Sequence, residues 1–425
     1  MASIILSFVG SQDPYSNNTN QEGSIVTLVT HLLETGQGIK QVILLHTEGT
    51  QQNAIDTKEW LESDPAHLPP ESITVHLVDP SLSKDPVNLL LAAQEARQGI
   101  DLARSHMDPE DILEFNASSG TPVMKSVWSV LQASGFAPKS HIWQVRNPKE
   151  IQPGQSRVFQ TDVKTLKDEF DLKVIRKQVE DYNYNGAAIT LKETNLENPL
   201  TTALLDYAYH RISLNFDSAF SAIDSFRDQI DRRWITEITP LRQKQNKALL
   251  QEAYFNALLR LKNRQYADFL VGLFKLQEQI LDYLVRDEIG LDITRKFEDK
   301  NRSCQIIEQH EGGKLYSFLK GYTLARGGKL DINRGVSRYV FQAIVEYYPQ
   351  FAELVPLIQN LNYYCTLRNE AVHNFIGVSE IENESTLLMT LRQLMQKIAP
   401  LPPCNPFDDL NTAIIASLTL PKPSI

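Results

Sequence analysis

A change of hydrophobic period near residue 170 constrains the fold of this chain more than any other feature. Before it, short β-branched, apolar runs alternate with helix-like stretches: SIILSFVG, QVILLHT, ITVHLVD, DILEFNAS and HIWQV. Between them lie SIVTLVTHLLETG (24–36), VNLLLAAQEARQGIDLARSH (87–106) and PVMKSVWSVLQASG (122–135), whose apolar residues recur at three- and four-residue spacing. That alternation predicts an α/β, Rossmann-like domain, a parallel sheet with flanking helices. After the change, VIRKQVEDYNYNGAAITLKE, TTALLDYAYHRISLNFDSAFSAIDSF, KALLQEAYFNALLRLKNRQYADFLVGLFKLQEQILDYLVRDEIG and STLLMTLRQLMQKI are amphipathic at 3.6 residues, which predicts an all-α bundle. The QPGQ turn and the charged DVKTLKDEFD segment set the boundary, giving domains of residues 1–170 and 171–425. Four prolines around APLPPCNPFDD predict an irregular tail.

The charge is divided between the halves. Residues 1–150 hold 9 Lys and Arg against 18 Asp and Glu, a net of -9, and the remainder holds 33 against 34. Such a protein is a poor candidate for binding duplex DNA, whose non-specific affinity comes from many cation–phosphate contacts. A local basic groove, for which RLKNRQ (260–265) is the candidate, reads more simply as a solvated helix face. No eighteen consecutive apolar residues occur, so no membrane span is expected. The start, MASIILSFVG, reads as a strand and not as a signal peptide. Cys304, Cys365 and Cys404 are odd in number and far apart, which argues against a disulfide framework or a CxxC zinc site and suits a reducing cytoplasm. Cys365 and the bundle's aromatic residues follow helical spacing and read as core.

Right-handed crossovers bring the C-terminal ends of parallel strands to one rim, where open α/β sheets bind ligands. The sharpest sequence on that rim is FNASSGTP, Phe115 to Pro122. Thr121 can cap the following helix with Pro122 in its first position, and Ser118, Ser119 and Gly120 can present N–H and hydroxyl groups to an anion beside the positive helix end. Lys125, one turn in, adds a cation. A plain tight turn would use the same residues. Two other strand ends, GSQDPYSNN (10–18) and HTEGT (46–50), bring small polar residues to the same rim. No G-x-G-x-x-G follows the first strand, and GQG (36–38) falls where a helix ends; G-x-x-x-x-G-K-[ST] and G-x-S-x-G are absent. Nicotinamide dehydrogenases, P-loop NTPases and α/β-hydrolases are thereby disfavoured.

In the helical half, LNYYCTLRNEAVHNF places Arg368 and His373 on one helix with four residues between them. Given 20 Arg and 9 His in 425 residues, chance alone yields about 0.4 such pairs, so the spacing needs its context. That context is a late helix of an all-α domain behind an α/β domain with an anion-friendly rim.

These residues resemble the type III CRISPR ancillary ribonucleases that join a CARF sensor domain to a HEPN nuclease domain. FNASSGTP is similar to the CARF turn after the fourth strand, SFVGSQDPYS to the loop after its first strand, and RNEAVH to the HEPN R-x(4–6)-H motif. DYNYNGAAITL (181–191) resembles the opening helix of such HEPN domains. The resemblance implies a cytoplasmic homodimer whose sensor pair binds cyclic oligoadenylate as an allosteric activator and whose paired motifs cut single-stranded RNA without a metal or cofactor. It implies catalytic roles for Arg368 and His373, with Asn369 in support. It also implies a sensor pocket of Asn116, Ser118, Ser119, Gly120, Thr121 and Lys125, with Ser11, Asp13 and Thr47. Two other readings stay open: a non-catalytic nucleotide-sensing regulator, and a sensor that also degrades its cyclic ligand.

Overall fold

The computed structural model describes residues 2–63, 65–161, 163–324, 327–332, 335–373 and 376–418, with no side chain described at 164, 165, 297 or 369–373. The chain forms two compact units that part between Leu172 and Lys173.

In the first unit the elements run β1 (Ser3–Phe8), β2 (Tyr15–Ser16), β3 (Gln21–Glu22), α1 (Ser24–Glu34), β4 (Ile39–His46), α2 (Gln51–Glu62), β5 (Ile73–Leu77), α3 (Pro80–Lys84), α4 (Leu89–Arg104), β6 (Ile112–Asn116), α5 (Pro122–Ala133), β7 (Ser140–Val145) and β8 (Val158–Thr161). The large sheet has the order β5-β4-β1-β6-β7-β8. Its first five strands are parallel, and β8 pairs antiparallel with β7, so the sheet is mixed. The QPGQ turn therefore lies inside the first unit, in the connection from β7 to β8, and DVKTLKDEFD runs into helix α6 (Lys164–Glu180). Every β1 residue is buried because the strand is covered on both faces. Ile4, Leu6 and Phe8 join Phe115, Val127 and Trp128, while Ile5 joins Ile25, Leu28, Val42 and Leu44. Gly36 ends α1 with φ of 78°, the helix terminus expected at GQG.

The chain builds β1, β4 and β5 outward on one side, then returns to lay β6 on the other side of β1. The strand order thus reverses between β4 and β6, which opens a crevice above the C-terminal ends of β1 and β6.

The second unit is helical: α7 (Tyr184–Lys192), α8 (Pro199–Ile212), α9 (Phe216–Asp224), α10 (Arg233–Arg242), α11 (Asn246–Lys262), α12 (Tyr266–Tyr283), a π-helical turn (Leu284–Glu288), α13 (Lys300–Gln309), α14 (Lys314–Gly321), α15 (Arg338–Tyr347), α16 (Val355–Asn360), α17 (Asn362–His373), α18 (Glu384–Ile398) and α19 (Pro406–Ser417). Three of the long amphipathic runs are each broken once by a similar turn, and a fourth turn joins α10 to α11. Tyr182, Leu214, Lys244 and Arg264 take the left-handed conformation without being glycine. In each case the next N–H returns to a carbonyl five residues back: Asn183 to Gln178, Asn215 to His210, Gln245 to Pro240 and Gln265 to Arg260, at 2.8–3.0 Å. Asn183 and Asn215 then cap the following helix, accepting from the N–H of Gly186 and Ser218. The expected irregular tail is instead α19, because Asn405 caps it and Pro406 occupies a first-turn position where a missing N–H costs nothing.

Candidate functional site

Two loops meet above the crevice of the first unit, one leaving β1 and one leaving β6. They approach so closely that a Cβ on Gly10 would stand 3.0 Å from the Gly120 nitrogen. Gly120 itself has φ of 90°, and a Cβ there would lie 3.0 Å from that of Met124 and 3.1 Å from that of Phe8. The β1 loop turns its Asp13 carboxylate inward, where it accepts from the N–H of Gly10 at 3.1 Å and of Ile25 at 3.3 Å, and from the Ser119 hydroxyl. Burial pushes the Asp13 carboxyl up from its ordinary value, and the hydrogen bonds from Ser119, Gly10 and Ile25 oppose that shift.

The cleft above these loops has a volume of about 350 Å³ and gathers Ser11, Asp13, Ser118, Ser119, Gly120 and Lys125. It also contains Arg146, Asn147 and Arg157, which sequence reasoning missed. Arg146 directly follows β7, so its place at a strand's C-terminal end was a usable signal. Arg157 arrives through the antiparallel β8 connection, which the pattern of parallel strands did not foresee. Both are held in place: Arg146 donates to the Ser156 carbonyl at 2.6 Å and stacks on Phe159, and Arg157 donates to the Glu22 carbonyl at 2.8 Å.

The remaining rim residues stand outside the cleft lining. Asn116 is fully buried; its amide nitrogen donates to Ser7 and Ser24, and its oxygen accepts the Ser118 N–H at 3.0 Å. Thr121 caps α5, accepting from the Met124 N–H at 3.3 Å and donating to the Pro86 carbonyl at 2.8 Å. Thr47 shares a capping box with Thr50 at the start of a 3₁₀ turn after β4. Ser118 also accepts the Val145 N–H at 2.7 Å, so its hydroxyl oxygen ties the β6 loop to β7.

In the second unit, α17 lies antiparallel against α12. Asn362 meets Gln277 at 3.1 Å, and one and a half turns later Arg368 sits over Phe274, its guanidinium carbon 4.5 Å from the ring centroid. Arg338, on α15, flanks the same ring at 5.4 Å and donates to Gln277 at 2.6 Å, Asn362 at 3.0 Å and the Cys365 sulfur at 3.2 Å. Arg338 had no signal in the sequence, since thirty residues separate it from the motif. Burial pushes the Cys365 thiol up, against the opposing pull of Arg338 and Arg368, which suits a core residue and not a nucleophile. Helix α17 reaches His373, but the side chains of Asn369 and His373 lie outside the described residues. Among the described residues no three His, Cys, Asp or Glu side chains gather as metal ligands, and no helix is long and apolar enough to cross a membrane.

A three-layered α/β unit with a polar rim cleft is thus followed by a helical unit that carries the R-x-x-x-x-H helix. Residues 238–414 match the family described as the Cas_Csm6 HEPN domain. The fold resembles that of Enterococcus italicus Csm6 bound to cyclic hexa-2′-fluoro-hexa-dAMP, with a TM-score of 0.68 and 16% identity over 98% of this chain and 100% of that one. No curated protein matches the chain. The match to the Csm6-type HEPN domain lies within the helical unit, and the chain as a whole shares the fold of that Csm6. The segment 181–191 lies outside the matched residues and forms the turn at Tyr182 followed by α7.

Proposed function

We propose that this protein is a single-stranded RNA endoribonuclease switched on by cyclic oligoadenylate, with residues 1–170 as sensor and 171–425 as nuclease. The observation that carries this reading is the cationic cleft at the strand-order reversal, on the same chain as a HEPN domain with Arg368 on an inner helix. Lys125, Arg146 and Arg157 offer three cations against the Asp13 and Glu22 carboxylates, so the cleft suits phosphates even though the first 150 residues carry -9. At about 350 Å³ it suits a ligand no larger than a small molecule, and a ring of several nucleotides needs the cleft of a second copy beside it. Ser11, Ser118, Ser119, Gly120 and Lys125 then contact the ring, while Asp13, Asn116 and Thr121 hold the loops that present them.

In the nuclease, five positions on a helix subtend about 500°, which leaves Arg368 and His373 about 140° apart. Two copies about a twofold axis bring two of each to one cleft. The substrate supplies its own nucleophile, the 2′-hydroxyl next to the scissile phosphate. His373 acts as general base or acid, Arg368 stabilises charge on the phosphate oxygens, and Asn369 supports them. The bond that forms joins the 2′-oxygen to phosphorus, the bond that breaks frees a 5′-hydroxyl, and the product is a 2′,3′-cyclic phosphate made without a metal. The test is an RNA carrying one 2′-deoxynucleotide at its cleavage position. Cleavage there should stop while other positions are still cut; undiminished cleavage at the deoxy position overturns the mechanism.

A further inference from the structure

The segment RLKNRQ (260–265) closes α11 and makes the turn into α12, with Arg264 in the left-handed conformation. It is more than a solvated helix face. Asn263 donates to the Asp181 carbonyl at 2.6 Å and Lys262 to the Asp408 carboxylate at 3.2 Å, so the turn is anchored at two points. Two clefts share it. One, of about 610 Å³, has Tyr182, Asn183 and Arg260 in its wall; the other, of about 730 Å³, has Tyr254, Leu258, Tyr266, Met389 and Arg392. Lys262 and Arg264 line both, and among the described residues none from α17 lines either.

Once internal pairs are set aside, the cations here outnumber the acids. Lys262 is matched by Asp408, and Asp181 by Lys177 at 2.8 Å. That leaves Arg260, Arg264 and Arg392 against Glu384, and among the described residues none of the three arginines forms an ion pair. Tyr254 is only 4% exposed, yet its hydroxyl has no hydrogen-bond partner among the described residues. A hydroxyl left open in the wall of a cleft calls for a polar group from whatever enters. Met389, 60% exposed, and Tyr266 add apolar surface beside it.

We propose that the two clefts form an exosite that grips single-stranded RNA away from the R-x-x-x-x-H helix, with phosphates on Arg260, Arg264 and Arg392 and bases against Tyr266 and Met389. This rests on the ribonuclease reading and adds to it a surface outside α17. Grips on single strands that ignore sequence combine a cationic groove with aromatic faces, and both occur here. The unpaired cations are all arginine, whose planar fork matches the phosphate oxygens. An exosite acts on binding and leaves the chemical step alone, so it favours long RNA over short and shows in KM, not in kcat.

Two variants of the full chain test the surface. Arg264→Glu/Arg392→Glu reverses two exposed charges outside the catalytic motif, and Tyr254→Phe keeps the ring and removes only the hydroxyl; circular dichroism checks that both fold. The probes are fluorogenic single-stranded RNAs of about twenty and about five nucleotides, cut in the presence of cyclic oligoadenylate. For the longer RNA the double variant should raise KM tenfold or more with kcat unchanged and flatten the dependence of log affinity on log salt by about 1, while Tyr254→Phe raises KM severalfold. For the shorter RNA both variants should stay within about twofold of the unsubstituted chain. An unchanged KM for the longer RNA in both variants, including one accompanied by weaker self-association that marks the cleft as a protein contact, overturns the exosite, as do equal losses on both lengths; the ribonuclease reading then stands. An unsubstituted chain that neither binds nor cuts either RNA overturns both.

Discussion

The Ser119 hydroxyl donates to the buried Asp13 carboxylate, joining two strand ends that lie 106 residues apart in the chain. The contact ties the β1 loop to the β6 loop, and the cleft exists because the two are held together. Asp13 satisfies two backbone N–H groups as well, so its loss would leave several buried donors without an acceptor.

Asp13→Ala is therefore expected to destabilise the first unit by about 3 kcal/mol and to weaken oligoadenylate binding more than tenfold. Calorimetric melting and titration of the ligand measure the two effects separately.

Asp13 also sets a pH dependence. Its folded-state value is raised by burial, so the carboxyl holds its proton in the folded chain at a pH where the unfolded chain has lost it. The stability it contributes is present below the unfolded value and is lost as pH rises through the folded value. Melting from acidic to neutral pH should show the unsubstituted chain losing ground to Asp13→Asn; a difference that stays constant contradicts the assignment.

Under the proposed sensor reading, the residues that line the cleft bind the ligand and those outside its lining shape the loops. Arg157→Ala and Arg146→Ala should each lower oligoadenylate affinity about tenfold or more, because a hydrogen bond to a charged group is worth roughly 1.5–3 kcal/mol. Thr47→Ala should change affinity less than twofold, since Thr47 stands outside the cleft and caps its own turn.

Arg368 rests on Phe274, and the ring orients the guanidinium. Phe274→Leu keeps the packing volume but removes a cation–π contact of about 0.5–2 kcal/mol. Severalfold loss of kcat with KM unchanged is expected, measured on a fluorogenic RNA.

Much of the first unit was legible because its signals are local. The Thr121–Pro122 helix start, the GQG helix end and five parallel strands each follow from a few neighbouring residues. Strand β8 escaped because VFQT is too short to show a period and because its antiparallel return depends on tertiary pairing with β7. Helix α2 escaped because QQNAIDTKEWLE is largely polar, with only Ala54, Thr57, Trp60 and Leu61 buried. The turns at Tyr182, Leu214, Lys244 and Arg264 carry no glycine, so continuous helices were read across three of them. In the candidate sites the motif residues could be named, but Arg146, Arg157 and Arg338 join them only through folding. Asn116 and Thr121 stand outside the cleft lining and hydrogen-bond within the loop they belong to, which the sequence did not distinguish from lining it.

One measurement tests the ligand-gated nuclease most directly: cleavage of a fluorophore–quencher single-stranded RNA in EDTA, with and without cyclic tetra- or hexa-adenylate, for the unsubstituted chain and His373→Ala. The predicted result is cleavage that requires one of the cyclic ligands, persists in EDTA and falls at least 100-fold in the variant, as loss of a general acid–base group should cause. Equal cleavage by His373→Ala, or no cleavage with either ligand despite measurable binding, would contradict it.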